Sequence, residues 1–137
     1  MFWKSVRTPW RARAVSCALL VPLVVGTQPP AASRWHVHLL KSEPAANDTL
    51  RASPPAIKLW FSGPPEMAVT TVKLASAAGA AVSVAVPTRD TAADAPVTAA
   101  IARALPAGDY VITWRTTAHD GHPSNGTIPF VVVAPAH

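Results

Sequence analysis

Fifteen prolines and six glycines, with interspersed Asn and Asp, cut most of this 137-residue chain into short segments. From His36 onward the pieces between them are too short for long helices and alternate in hydropathy with a period of two, the spacing at which one face of an extended strand packs and the other meets solvent. Ile57, Leu59 and Phe61 alternate with Lys58 and Trp60; Tyr110, Ile112 and Trp114 with Val111, Thr113 and Arg115; Ile128, Phe130 and Val132 with Thr127, Pro129 and Val131. The pattern predicts strands at 36–41, 56–61, 69–75, 81–86, 97–102, 109–116 and 127–133, with an Ala-rich helical turn as the alternative for Ala99 to Leu105. Turns are expected at Ser53-Pro54-Pro55, Gly63-Pro64-Pro65, Ala78-Gly79, Ala107-Gly108-Asp109 and Ser124-Asn125-Gly126. About seven short strands in roughly 100 residues indicate an all-β fold, an immunoglobulin-like antiparallel β-sandwich.

Residues 1–35 read as an export signal, leaving a single domain at 36–137. Lys4, Arg7, Arg11 and Arg13 form a positive start, and Ala14 to Gly26 form an apolar stretch interrupted by Pro22. That stretch is shorter than the ~20 residues a membrane-spanning helix needs; an N-terminal anchor is the competing reading. Val24-Val25-Gly26 suits cleavage moderately well, whereas a cut directly after Trp35 places an indole where a small side chain is preferred. The only cysteine, Cys17, lies within this leader, so the exported body has neither disulfide nor thiolate chemistry and depends on a packed core.

The net charge of +5 also belongs to the leader. From His36 on, Lys41, Arg51, Lys58, Lys73, Arg89, Arg103 and Arg115 balance Glu43, Asp48, Glu66, Asp90, Asp94, Asp109 and Asp120. A nucleic-acid surface needs clustered Lys and Arg to displace phosphate counterions, and this body has no such cluster. No hydrolase motif, Gly-rich phosphate loop or paired carboxylates are present.

Four of the five histidines fall in two groups. His36 and His38 stand two apart in a strand-like run, and His119, Asp120 and His122 stand at the end of the strand that contains Trp114. In an extended chain His36 and His38 share a face, as do Asp120 and His122, whereas His119 faces away and His137 ends the chain. Imidazoles with one carboxylate suit Cu(II), Ni(II) or Zn(II), and the lack of sulfur donors favours a tetragonal Cu(II) site. Such a site requires the two groups to meet in space; two unrelated polar loops are the alternative.

The same residues resemble the CopC-like periplasmic copper-resistance proteins. The likeness covers roughly residues 36–133. It is carried by four segments in order: His36 to Ala45 with Ser42-Glu43-Pro44-Ala45, Ile57 to Ser62 ending in Phe-Ser, Leu105 to Arg115 with Gly108, Tyr110 and Trp114, and Asp120-Gly121-His122 leading to Gly126, Phe130 and Val132. The resemblance implies a Greek-key β-barrel or sandwich holding one Cu(II) ion near its N-terminus. It carries metal-ligand roles onto His36, through its imidazole and a free α-amine, and onto Asp120 and His122, with His38 as a further donor. It implies an exported monomer that buffers copper or delivers it to an inner-membrane copper transporter, and not an enzyme. Binding to neutral imidazoles and a deprotonated amine implies affinity that falls on acidification.

The chain departs from the family pattern in three places. The α-amine is free only if processing stops at His36, and His38 fills the vacancy otherwise. Gly63 stands where some members carry a Glu, with Glu66 displaced by three residues. Met67 is the only methionine of the body, so no thioether-rich Cu(I) site is expected. Two other readings compete: an oxidative enzyme built on a copper histidine brace, and an immunoglobulin-like interaction module without metal.

Overall fold

A computed structural model describes residues 36–135; the expected export leader at 1–35, with Cys17, and residues 136–137, with His137, lie outside the described residues. The alternating segments form nine strands: β1 (Leu39–Glu43), β2 (Asp48–Leu50), β3 (Ala56–Phe61), β4 (Thr71–Ser76), β5 (Ala81–Val82), β6 (Thr88–Arg89), β7 (Val97–Ala100), β8 (Gly108–Thr117) and β9 (Pro123–Val132). They build two sheets, ordered β1-β3-β7-β6 and β2-β9-β8-β4-β5. All pairings are antiparallel except β2 with β9. The fold is all-β, and none of its described helices is long and apolar enough to cross a membrane.

The core lies between the sheets and follows the period-two pattern. Tyr110, Ile112, Trp114 and Thr116 are buried along β8, and Ile128, Phe130 and Val132 along β9. Ile57 and Leu59 of β3, with Val97 and Ala99 of β7, close the core from the other sheet. Each fully buried large side chain here contributes about 1.5–3 kcal/mol relative to exposure, and this burial is what holds the two sheets together. Tyr110 fixes the start of β8 by donating its hydroxyl to the Pro106 carbonyl at 2.8 Å.

Several expected boundaries move. The segment 36–38 precedes β1 and is not strand. Residues 81–86 shrink to a two-residue strand followed by an isolated bridge between Val84 and Ile101, and 97–102 ends at Ala100 without becoming helical. The 3-10 turn Met67–Val69 delays β4 to Thr71. Strands β2 and β6 are additional; three and two residues long, they carry too short a pattern for alternation to show.

The largest correction concerns Ser124-Asn125-Gly126, expected as a turn. These residues lie within β9, paired with Thr116, Arg115 and Trp114. Gly126 is there to fit the indole: a Cβ at this position would approach the Trp114 ring to 2.9 Å. Packing of the β8 side chain therefore selects glycine in a strand, where propensity alone points to a turn. The reversal between β8 and β9 occurs instead at residues 118–122.

Candidate metal centre

Residues 118–122 form a tight hairpin tip. The Gly121 N–H donates to the Ala118 carbonyl, and the Ala118 N–H donates to the His122 carbonyl, both at 2.9 Å. This is a turn over Ala118–Gly121 whose last residue, Gly121, is left-handed with φ +88°. A side chain is disfavoured in that conformation, so the glycine between Asp120 and His122 is a requirement of the turn.

Asp120 and His122 come together through this turn, not through the extended geometry expected from their spacing. One Asp120 oxygen accepts the His122 backbone N–H at 3.1 Å, and the other accepts His122 Nδ1–H at 2.8 Å. A carboxylate only accepts, so the proton of the neutral imidazole sits on Nδ1 and Nε2 retains its lone pair. The Asp120 carboxyl is held below the ordinary aspartate range, first by the His122 backbone N–H and then by its ring, against a partial loss of solvation. The side chains remain accessible, at 59% for His122 and 25% for Asp120.

Thr116 and Thr117 hold the base of the tip. Thr70 donates its hydroxyl to the Glu66 carbonyl at 2.7 Å, which leaves its oxygen to accept from the buried hydroxyl of Thr116, also at 2.7 Å. The Glu66 N–H donates to the Thr117 carbonyl at 2.9 Å. Glu66, displaced in sequence from the family position, thus has its backbone beside the end of β8, with its side chain exposed. Thr70 and Thr116 escaped sequence reasoning, since two threonines 46 residues apart carry no local signal of pairing.

His36 reaches the tip from the far end of the chain. Its ring centroid lies 5.2 Å from that of His122, edge to face at 66°. The two stretches separated in sequence therefore meet in space. His38 is placed differently. It does not lie in a strand with His36, and its Nδ1 is 3.3 Å from the His36 carbonyl, so the ring turns back on its own backbone. His119 is exposed at the outside of the turn.

Among the described residues no three His, Cys, Asp or Glu side chains are already gathered around one point. Asp120 engages Nδ1 of His122, and His38 engages the His36 carbonyl. The arrangement is a preformed pair of imidazoles with a carboxylate and a third imidazole in adjacent residues. Reorientation of exposed side chains would be needed to converge them on an ion.

The CopC domain family model matches residues 39–133. The chain belongs to the CopC domain family. Among solved structures it is similar to CopC from Methylosinus trichosporium OB3b, with a TM-score of 0.68 and 27% identity over 74% of this chain and 98% of that one. It is also similar to PcoC, a methionine-rich copper resistance protein from Escherichia coli, with a TM-score of 0.63 and 26% identity over 71% of this chain and 98% of that one. A further relative is the copper transport protein CutJ of Bacillus subtilis strain 168, 27% identical over 75% of this chain. The match spans only 19% of that protein's length. Protein YobA of Escherichia coli strain K12 is 30% identical over 73% of this chain and 82% of its own.

Proposed function

We propose that this CopC-domain protein is an exported Cu(II) carrier or buffer. It would serve copper tolerance or delivery to a membrane transporter, with His36, His38, Asp120 and His122 as the donor set for one ion. The observation that supports this most is the 5.2 Å approach of the His36 and His122 rings. Two imidazoles at that separation beside the Asp120 carboxylate, in a body whose only sulfur-bearing side chain is Met67, suit Cu(II) chemically. The names of the relatives, a copper transport protein and a copper resistance protein, agree with copper as the cargo.

In this reading the chain's own groups do four things. His36 and His122 supply nitrogen donors from opposite ends of the sequence. Asp120 keeps the proton of His122 on Nδ1 with one oxygen and so leaves Nε2 to the ion, and it would join the donor set by turning its other oxygen from the His122 backbone N–H to the ion. His38 adds a donor by leaving the His36 carbonyl. If processing ends at His36, the α-amine joins the set. The exposed rim of the sandwich favours exchange with a recipient over permanent retention, as a carrier requires.

The test is a Cu(II) competition titration of the exported protein at pH 7.5 and pH 5, together with mass spectrometry of its N-terminus. Protons compete for the same nitrogens, so affinity is expected to fall at the lower pH. Equal affinity at both values would count against imidazole ligation. The N-terminal mass decides between an amine-containing site and one made of side chains alone.

A further inference from the structure

The backbone ladder ends before it reaches His36. The last paired residues at this corner are Leu39 and Phe61, and the Ser62 N–H then donates to the His38 carbonyl at 2.9 Å. Between Leu39 and Lys41 the register slips, which is the signature of a bulge, and the chain upstream of it leaves the sheet. Residues 36–38 nevertheless stay close enough to β9 for the two imidazoles to meet.

Two features of the segment account for this. Val37 is buried, at 7% exposure, and anchors the segment against the body. The Ser62 hydroxyl spans the backbone on either side of it: Oγ accepts the His38 N–H at 3.1 Å and donates toward the His36 carbonyl at 3.4 Å. The contact between His38 Nδ1 and that carbonyl does not bind the His38 N–H, and it is lost if His38 turns to an ion. Among the described residues, Ser62, which directly follows β3, is the one side chain whose hydrogen bonds reach both ends of the segment.

We infer that Ser62 is a positioning residue that holds His36 against His122 before any ion arrives. Its hydroxyl bonds to the backbone of His36 and His38 and to neither imidazole, so it acts through the backbone of residues 36–38. The role demands a side chain that accepts and donates at one atom, which a hydroxyl does and a methyl does not. Its consequence for copper rests on the reading of the His36–His122 pair as a Cu(II) site. Holding the first imidazole in place in advance reduces the ordering that binding would otherwise require.

The experiment compares the wild-type full chain with Ser62→Ala and Ser62→Thr, first without metal and then with Cu(II) alone. Without metal, Ser62→Ala is expected to lose the nuclear Overhauser contact between the His36 and His122 rings. It should also speed exchange of the His38 amide about tenfold, with Ile112 and Phe130 amides unchanged as the control for folding. With Cu(II), its affinity should fall about five- to tenfold, the scale of one or two exposed hydrogen bonds. Ser62→Thr, which keeps the hydroxyl, should restore the ring contact, the amide protection and the affinity. An unchanged ring contact in Ser62→Ala, or a Ser62→Thr protein that behaves like alanine, overturns the inference. A lost ring contact and restored threonine variant, in a protein whose wild type takes up no Cu(II), supports the positioning role and overturns the copper reading instead.

Discussion

The two imidazoles that face each other are placed by opposite means. His122 is set within five residues, by a hairpin tip in which Gly121 supplies the left-handed turn and Asp120 grips both the backbone and the ring. His36 is set by contacts with residues far along the chain: Ser62, 26 residues away, and His122 itself. The hairpin side keeps its geometry wherever β8 and β9 pair. The His36 side exists only when the two sheets are packed. On the proposed reading, a locally built donor that meets a donor delivered by the tertiary fold would make ion binding depend on the folded state, so Cu(II) is expected to raise the melting temperature.

Removing either imidazole breaks the comparison most directly. His122→Ala and His36→Ala should each weaken Cu(II) binding by about a hundredfold or more, which corresponds to about 2.7 kcal/mol. A competition titration at pH 7.5 measures it, and loss in only one of the two variants would mean that the rings do not act together.

Gly126→Ala is the next largest effect, and it bears on stability. The new methyl would stand 2.9 Å from the Trp114 ring, so β8, β9 or the indole must shift. Such overpacking costs about 1–3 kcal/mol, readable as a lower denaturant midpoint with an unchanged slope. It should disturb the hairpin donor directly, since residues 118–122 join β8 to β9, and the delivered donor only through the packing of the two sheets.

Gly121→Ala sharpens the comparison because it strikes only the hairpin. An alanine held at φ +88° costs about 1–2 kcal/mol. Copper affinity should fall while exchange of the His38 amide, on the other side of the site, stays at its wild-type rate. Acceleration of that amide would show that the two sides are coupled.

The smallest effect concerns acid. The depressed pKa of Asp120 means that the folded chain binds fewer protons there than the unfolded chain. Its contribution to stability is therefore present above the ordinary aspartate value, about 3.9, and is lost as pH falls through the lower folded value. A carboxyl NMR titration of the metal-free protein should show this depressed midpoint. In His122→Ala the midpoint should rise only in part, because the backbone N–H that lowers it most remains.

Much of the fold was legible because alternation is a local property. The faces of β3, β8 and β9 follow directly from Ile57 and Leu59, from Tyr110 to Trp114, and from Ile128 to Val132. Reading failed where a distant partner outweighed local preference. Gly126 looked like a turn until the Trp114 ring claimed the space of its side chain. His38 looked like the companion of His36 until the strand proved to start at Leu39. The hydroxyl pair of Thr70 and Thr116 is invisible without the sheet that brings them together.

The sequence by itself determined which donor groups are on offer: the imidazoles of His36, His38 and His122, with the Asp120 carboxylate two residues before the last. Those follow from residue chemistry alone. Only the tertiary structure decided that His36 meets His122 and that the Ser62 hydroxyl reaches the backbone of residues 36–38. The physical reason is that local conformation depends on adjacent residues, whereas the approach of two distant segments depends on how the whole core packs between its sheets.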